Sequence, residues 1–199
     1  MNVKAIFFAL VLLAVLSGCG SSPPVDYYTL QPIKNIERND PDNASLLGIG
    51  PIRIPGYIDR PQLVTQRAGR GVKVDEFNRW AEPLDLAIPR IVTVNVDGLL
   101  DDVIAVTFPY PSRFRTDYRL IGRIIRFDAD EQGLAVLELQ WAVQDADATN
   151  VIQPRRDRYT AQATSTSDSN AIVVALNDTL EAFSRDVADI IRAEQAAQD

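Results

Sequence analysis

Residues 117–145 constrain the fold of this chain more than any other stretch. "DYRLIGRIIRFDAD" and "LAVLELQWAVQD" are two long runs joined by Glu131, Gln132 and Gly133. In the second run Leu137, Leu139, Trp141 and Val143 alternate with Glu138 and Gln140. Side chains of a strand point to opposite faces with period two, so this pattern predicts a half-buried antiparallel strand. The two runs therefore pair. "VIQPRRDRYTAQATS" follows as a third member of the meander, with Pro154 breaking its start.

A helix should close the chain. Ile172, Leu176, Leu180, Phe183, Val187 and Ile190 recur at spacings of three and four. That is one apolar face of an amphipathic helix, from Asn170 to about Ala193. Residues 167–169 supply its N-cap. Its polar face carries Asp178, Glu181, Arg185 and Asp189, an acidic face that anionic lipid would repel, so the helix is expected to pack on the sheet rather than insert into a membrane.

A second helix is predicted over residues 83–100. Pro83 suits a first turn, and Leu84, Ile88, Ile91, Asn95 and Leu99 fall at roughly helical spacing. Pro89 and the strand-prone "IVTVNV" oppose that reading, so a kink is expected. Shorter strands are expected at 26–30, 46–55, 62–66 and 103–107. Pro51 and Pro55 make the second of these an edge or interrupted strand. "RAGRG" reads as a tight turn, with "VKVDEF" as the return strand of a hairpin. The sum is a single α/β domain: a mixed sheet with a C-terminal antiparallel meander packed against two main helices.

The N-terminus reads differently. Lys4 precedes a 12-residue apolar run, and "LSGC" ends it at the chain's single cysteine. The run is short for a bilayer, which takes ~20 apolar residues to cross. Its layout is that of a secretory signal peptide. Leu16-Ser17-Gly18-Cys19 resembles a bacterial lipobox, which implies cleavage before Cys19 and acylation of its sulfur and amino group. A lone cysteine has no disulfide partner in its own chain, and acylation would remove an exposed thiol. The expected organisation is a lipoprotein signal peptide at 1–18, a lipidated tether at 19–25 and a folded domain at 26–199. Gly20 after the cysteine permits the outer membrane by resemblance to sorting patterns; an inner-membrane anchor stays open.

Composition narrows function. The chain carries no histidine and a net charge of −7, and loss of Lys4 makes the mature chain more acidic still. That argues against nucleic acid. Without histidine, and with the cysteine acylated, zinc sites, Ser-His-Asp triads and Cys-His dyads are excluded. Neither a cofactor nor a metal is expected. Asp101-Asp102 and Asp128/Asp130 are paired acids, but loop or helix-end solvation accounts for them better than glycosidase chemistry. Arginine outnumbers lysine 17 to 3, which fits genome composition better than phosphate binding. The cluster Arg155-Arg156-Asp157-Arg158 should alternate faces on its strand.

Two further stretches stand out, "IPGYIDRPQLV" at 54–64 and "EFNRWAEPL" at 76–84. With "YYTL" and the lipobox, in this order, they resemble the PqiC family of ABC-type transport auxiliary lipoproteins. The resemblance covers nearly the whole mature chain. It implies a fold similar to the anticodon-binding-like sandwiches. It also implies a non-catalytic periplasmic subunit, anchored through Cys19. Such a subunit would work with an MCE-domain protein and an inner-membrane transporter subunit to move lipids or other hydrophobic molecules. A ring-shaped partner would favour a homo-oligomer. The alternative is a free-standing lipid-binding or envelope-structural lipoprotein. Tyr57, Arg60, Gln62, Arg79, Trp80 and Glu82 carry the motifs. They form either a folding lock, with Asp59–Arg60 and Arg79–Glu82 as ion pairs, or a partner-binding surface, since tyrosine, tryptophan and arginine concentrate at interface hot spots.

Overall fold

The meander anchors everything else. In the computed structural model, which describes residues 23–34, 44–111, 115–145 and 151–198, its three strands are β6 (Tyr118–Asp130), β7 (Leu134–Asp145) and β8 (Val151–Gln162). Cys19 and the expected signal segment lie outside the described residues. β6 pairs with β7 from Tyr118↔Asp145 to Ala129↔Ala135, and β7 with β8 along the same length. Gly133 makes the β6–β7 turn with φ +78°, a left-handed conformation that glycine enters at no steric cost. Asp130 Oδ1 accepts from the backbone N–H groups of Gln132 and Leu134, each at 2.9 Å, and fixes that turn.

The other edge of β6 is shared. Its first half pairs in parallel with β2 (Ser45–Arg53), which in turn pairs with β5 (Val103–Thr107). Its last two residues pair with β3 (Gln62–Gln66). β3 pairs antiparallel with β4 (Val72–Trp80), and β4 in parallel with the short edge strand β1 (Asp26–Tyr28). The sheet is thus mixed and branched, eight strands in all among the described residues.

Two helices, α1 (Leu84–Leu99) and α2 (Ser169–Gln198), cover one face. α1 buries Leu84, Ala87, Ile88, Ile91, Val92, Asn95 and Val96. Burial of that stripe overrides the strand preference of its β-branched residues, because propensity is a weak term beside tertiary packing. Pro89 lies inside α1 and is itself buried, so its ring adds to the core while the Asp85 carbonyl forgoes a helical hydrogen bond. α2 lies over β7 and β8. Phe183 meets Trp141 edge-on with ring centroids 5.2 Å apart, a contact contributing about 0.5–1.5 kcal/mol beyond area burial.

Four expectations need correction. Pro154 does not break β8, which runs through it from Val151. β8 is an edge strand, so a residue without an N–H costs no ladder bond on its open side. β2 is interrupted at Pro51, as expected, but is not an edge strand along its length: it is interior between β5 and β6 up to Ile49 and becomes an edge only beyond that irregularity. Strand β1 stops at Tyr28, although Leu30 is buried. α2 runs five residues beyond the expected end.

Candidate functional site

Three sequence segments converge at one end of the sheet. The Trp80 N–H donates to the Pro61 carbonyl at 2.6 Å, and the Ala81 N–H to the Tyr28 carbonyl at 2.8 Å. These two bonds knit "YYTL", "DRPQ" and "RWAEP" together. Cross-strand register then sorts the side chains. Arg79 stands opposite Gln62 on one side and Tyr27 on the other, so the three share a face of the β1–β4–β3 unit. Tyr27 is 63% exposed. Trp80, one residue on, turns to the other face and is buried in the core.

β4 carries a large irregularity just before this row. Register jumps from Val64↔Val74 to Gln62↔Arg79. Asp75 pins the extra residues, because its Oδ1 accepts from the Phe77 and Asn78 backbone N–H groups and the Asn78 side chain, at 3.0–3.1 Å. Burial pushes the Asp75 carboxyl up, but those hydrogen bonds outweigh it and hold the group below the usual carboxylate range. Phe77, on this bulge, is 43% exposed. Exposed aromatic side chains therefore bracket Arg79.

Beside the row lies a cavity of about 380 Å³. Arg60 and Pro61 form one wall, and Trp80, Glu82 and Pro83 the other. The Arg60 side chain is exposed and makes no ion pair among the described residues. The expected Asp59–Arg60 and Arg79–Glu82 pairs do not form. Arg79 instead donates from Nε to the Glu76 carbonyl at 3.1 Å and lies 3.9 Å from the Glu76 carboxylate. Glu82 accepts from Arg90, in the second turn of α1. The reason is local: α1 begins after Pro83, so Arg79 is in a strand and the helical three-residue spacing does not apply. Glu82 thereby fixes the entry of α1 rather than reaching back to β4.

Tyr57 has a different place. Its hydroxyl donates to Asp128 Oδ2 at 2.5 Å and accepts from the Phe127 N–H at 3.3 Å. Arg126 and Gln66 complete the set around Asp128 at 2.8 and 3.1 Å. Asp128 is therefore a fully buried, fully partnered carboxylate, not the solvated acid expected of it. Burial first, and then the hydrogen bond and charge of Asp128, push the Tyr57 hydroxyl well above the usual tyrosine value. Asp101 and Asp102 are exposed in the turn after α1, as expected. In the β8 cluster, Arg155 and Asp157 face α2, whereas Arg156 and Arg158 are exposed on the opposite face.

The sequence left Tyr27 unremarked and marked Asp128 only as a solvated acid. Tyr27 carried a signal, an aromatic residue beside the "Y-x-L" strand. The burial of Asp128 carried no signal, because Tyr57 and Gln66, two of its partners, are distant in the chain. Chemically, the row and cavity offer one free guanidinium, exposed aromatic surface and a shallow apolar wall. That is the equipment of recognition. Among the described residues, no group of histidine, cysteine or carboxylate side chains is placed to hold a metal ion. Nor is any helix there long and apolar enough to cross a membrane.

The family model described as "ABC-type transport auxiliary lipoprotein component" matches residues 28–188. A crystal structure of an uncharacterized protein superposes with a TM-score of 0.72 at 18% identity, covering 85% of this chain and 99% of that one. Protein XCC0632 from Xanthomonas campestris superposes with a TM-score of 0.67 at 19% identity, covering 87% and 100%. Identities this low show a shared fold. No curated protein sequence matches the chain.

Proposed function

This chain belongs to the ABC-type transport auxiliary lipoprotein component family, and from that membership we propose that it is a non-catalytic, membrane-anchored adaptor. In this reading Cys19 is acylated, and the domain sits on the periplasmic face of the outer membrane. Its partners are an MCE-domain protein and an inner-membrane transporter subunit, and the cargo is lipid or another hydrophobic molecule. The row Tyr27–Arg79–Gln62, with the Arg60 cavity beside it, is the docking surface.

The observation that carries this reading is the convergence of three motif segments on one exposed, aromatic- and arginine-bearing patch. Tyrosine and arginine are over-represented among interface hot spots. The patch also adjoins β1. Six residues separate Cys19 from Asp26, and an extended chain covers at most roughly 20 Å over that length. The domain is thereby held near its membrane, so a partner from the other membrane must come to it.

Affinity purification of the full chain from membranes tests the proposal. An MCE-type protein or transporter subunit should copurify, and a photocrosslinker at Tyr27 should capture it while one at Arg192 should not. Recovery of neither partner sinks the adaptor reading. Bound lipid found on the isolated chain in their absence would favour a free-standing lipid-binding lipoprotein.

A further inference from the structure

The arginine excess has a spatial order. Arg53, Arg119, Arg123, Arg126, Arg156 and Arg158 all project from the sheet face opposite the helices, on β2, β6 and β8. Two are neutralised, Arg126 by Asp128 at 2.8 Å and Arg156 by Glu138 at 2.7 Å. The other four have no carboxylate partner among the described residues. This is a cationic face on a chain of net charge −7. Arg53 and Arg123 stand directly opposite each other across β2 and β6. Neighbouring strands lie only about 4.8 Å apart, and like charges so placed are destabilising without an anion between them.

An apolar row adjoins these two guanidinium groups. Ile121 is opposite Ala142, and with Pro51 they floor an open groove of about 390 Å³ that Arg53, Arg123 and Gln140 rim. Paired guanidiniums above an apolar floor match a phosphate headgroup with the first methylenes of its acyl chains.

We propose that this face docks on the membrane that anchors the chain, with Arg53 and Arg123 holding the phosphate of an anionic lipid and the Pro51–Ile121–Ala142 floor meeting its acyl region. The inference rests on the Cys19 anchor of the proposed function and adds an orientation to it. Guanidinium binds phosphate through paired N–H donors, which a single ammonium cannot match. With this face on the lipid, α1 and α2 point away from the membrane, and the Tyr27–Arg79–Gln62 row, on β1, β4 and β3 rather than on the strands that carry these arginines, borders the contact.

The test uses the full acylated chain in vesicles of phosphatidylcholine alone and of phosphatidylcholine with phosphatidylglycerol. Phenylglyoxal labelling of arginines is located by mass spectrometry, and intact mass reports acylation at Cys19. A basic residue near an anionic surface gains roughly fivefold in occupancy. Labelling of Arg53 and Arg123 should therefore fall by roughly that factor in the phosphatidylglycerol vesicles. Labelling of Arg192, on α2, should not change. High salt should restore the labelling of Arg53 and Arg123, because surface attraction is screened. Equal labelling in both vesicles, with acylation intact, overturns the docking and leaves the anchor standing. Protection seen only in native envelopes would mean an acidic protein partner and would overturn it as well. If Cys19 proves unmodified, the anchor reading fails, and docking stands only if the chain still floats with phosphatidylglycerol vesicles and not with phosphatidylcholine ones.

Discussion

Tyr57 and Asp128, 71 residues apart, share a 2.5 Å hydrogen bond that ties the loop after β2 to the far half of β6. Asp128 has no exposed side-chain surface, so every lone pair it presents must be met inside the protein. Tyr57, Arg126 and Gln66 meet them. Tyr57→Phe removes one donor and leaves the carboxylate under-satisfied. It should destabilise the fold by about 1–3 kcal/mol, read as a lower urea midpoint with an unchanged slope. A midpoint equal to wild type would mean that water replaces the hydroxyl and that the bond does not lock the loop.

Alkaline pH should loosen the protein through two tyrosines. Burial, and next the Asp128 hydrogen bond, raise the Tyr57 hydroxyl; burial, and next the Asp186 hydrogen bond at 2.8 Å, raise Tyr159. Unfolded tyrosine loses its proton near pH 10. Above that value the unfolded chain binds fewer protons than the folded one, so stability falls as pH rises. The contribution is complete below about pH 10 and is lost as pH climbs through the raised folded values. Urea midpoints measured across this range should fall more steeply for wild type than for Tyr57→Phe/Tyr159→Phe. Parallel curves would assign the alkaline loss to other groups.

Adjacent residues of "RWAEP" should separate cleanly by substitution. Trp80 is buried and its truncation opens a cavity, so Trp80→Ala should cost about 3–5 kcal/mol. Arg79 holds a long, partly exposed contact with the Glu76 carboxylate and an exposed hydrogen bond to its carbonyl, so Arg79→Ala should change stability by less than about 1 kcal/mol. Partner capture should respond to Arg79→Ala nonetheless. A variant that is as stable as wild type and captures partner equally well would remove Arg79 from the docking surface.

Much of this architecture was legible, and the failures share a cause. Alternation located the meander because one face of β7 packs under α2 and the other does not. Spacing of Leu84, Ile88, Ile91 and Asn95 located α1 in spite of Pro89, because the buried stripe outweighs one missing hydrogen bond. Local periodicity says nothing of edges or branches. Pro154 looked disruptive only because the edge position of β8 was not visible. The candidate residues were found as a set, but their division was not. Register places Arg79 and Gln62 on a surface and Trp80 in the core, whereas Tyr57 belongs to a buried network whose other members lie far along the chain. Arg79–Glu82 failed because a helical spacing was applied to a strand end.

Asn95 gives the sharpest test of how the helices hold the entry to the sheet. It is 1% exposed on α1, among the apolar positions that define the helix stripe. Its Oδ1 accepts from the Ile33 N–H at 2.8 Å, and its Nδ2 donates to Ser184 Oγ on α2 at 3.2 Å. Asn177, also on α2, accepts from the Gln31 N–H at 2.9 Å. Two asparagines on two helices thus clip residues 31–33 over the α1–α2 seam. Asn95→Leu keeps the volume and removes both bonds. It strands a backbone donor and should cost about 1–3 kcal/mol. Hydrogen exchange distinguishes this clip from a general loss of packing. The Ile33 amide should exchange much faster in the variant, while the β6–β7 ladder keeps its protection. Uniform acceleration across both would show that Asn95 matters only as a core residue.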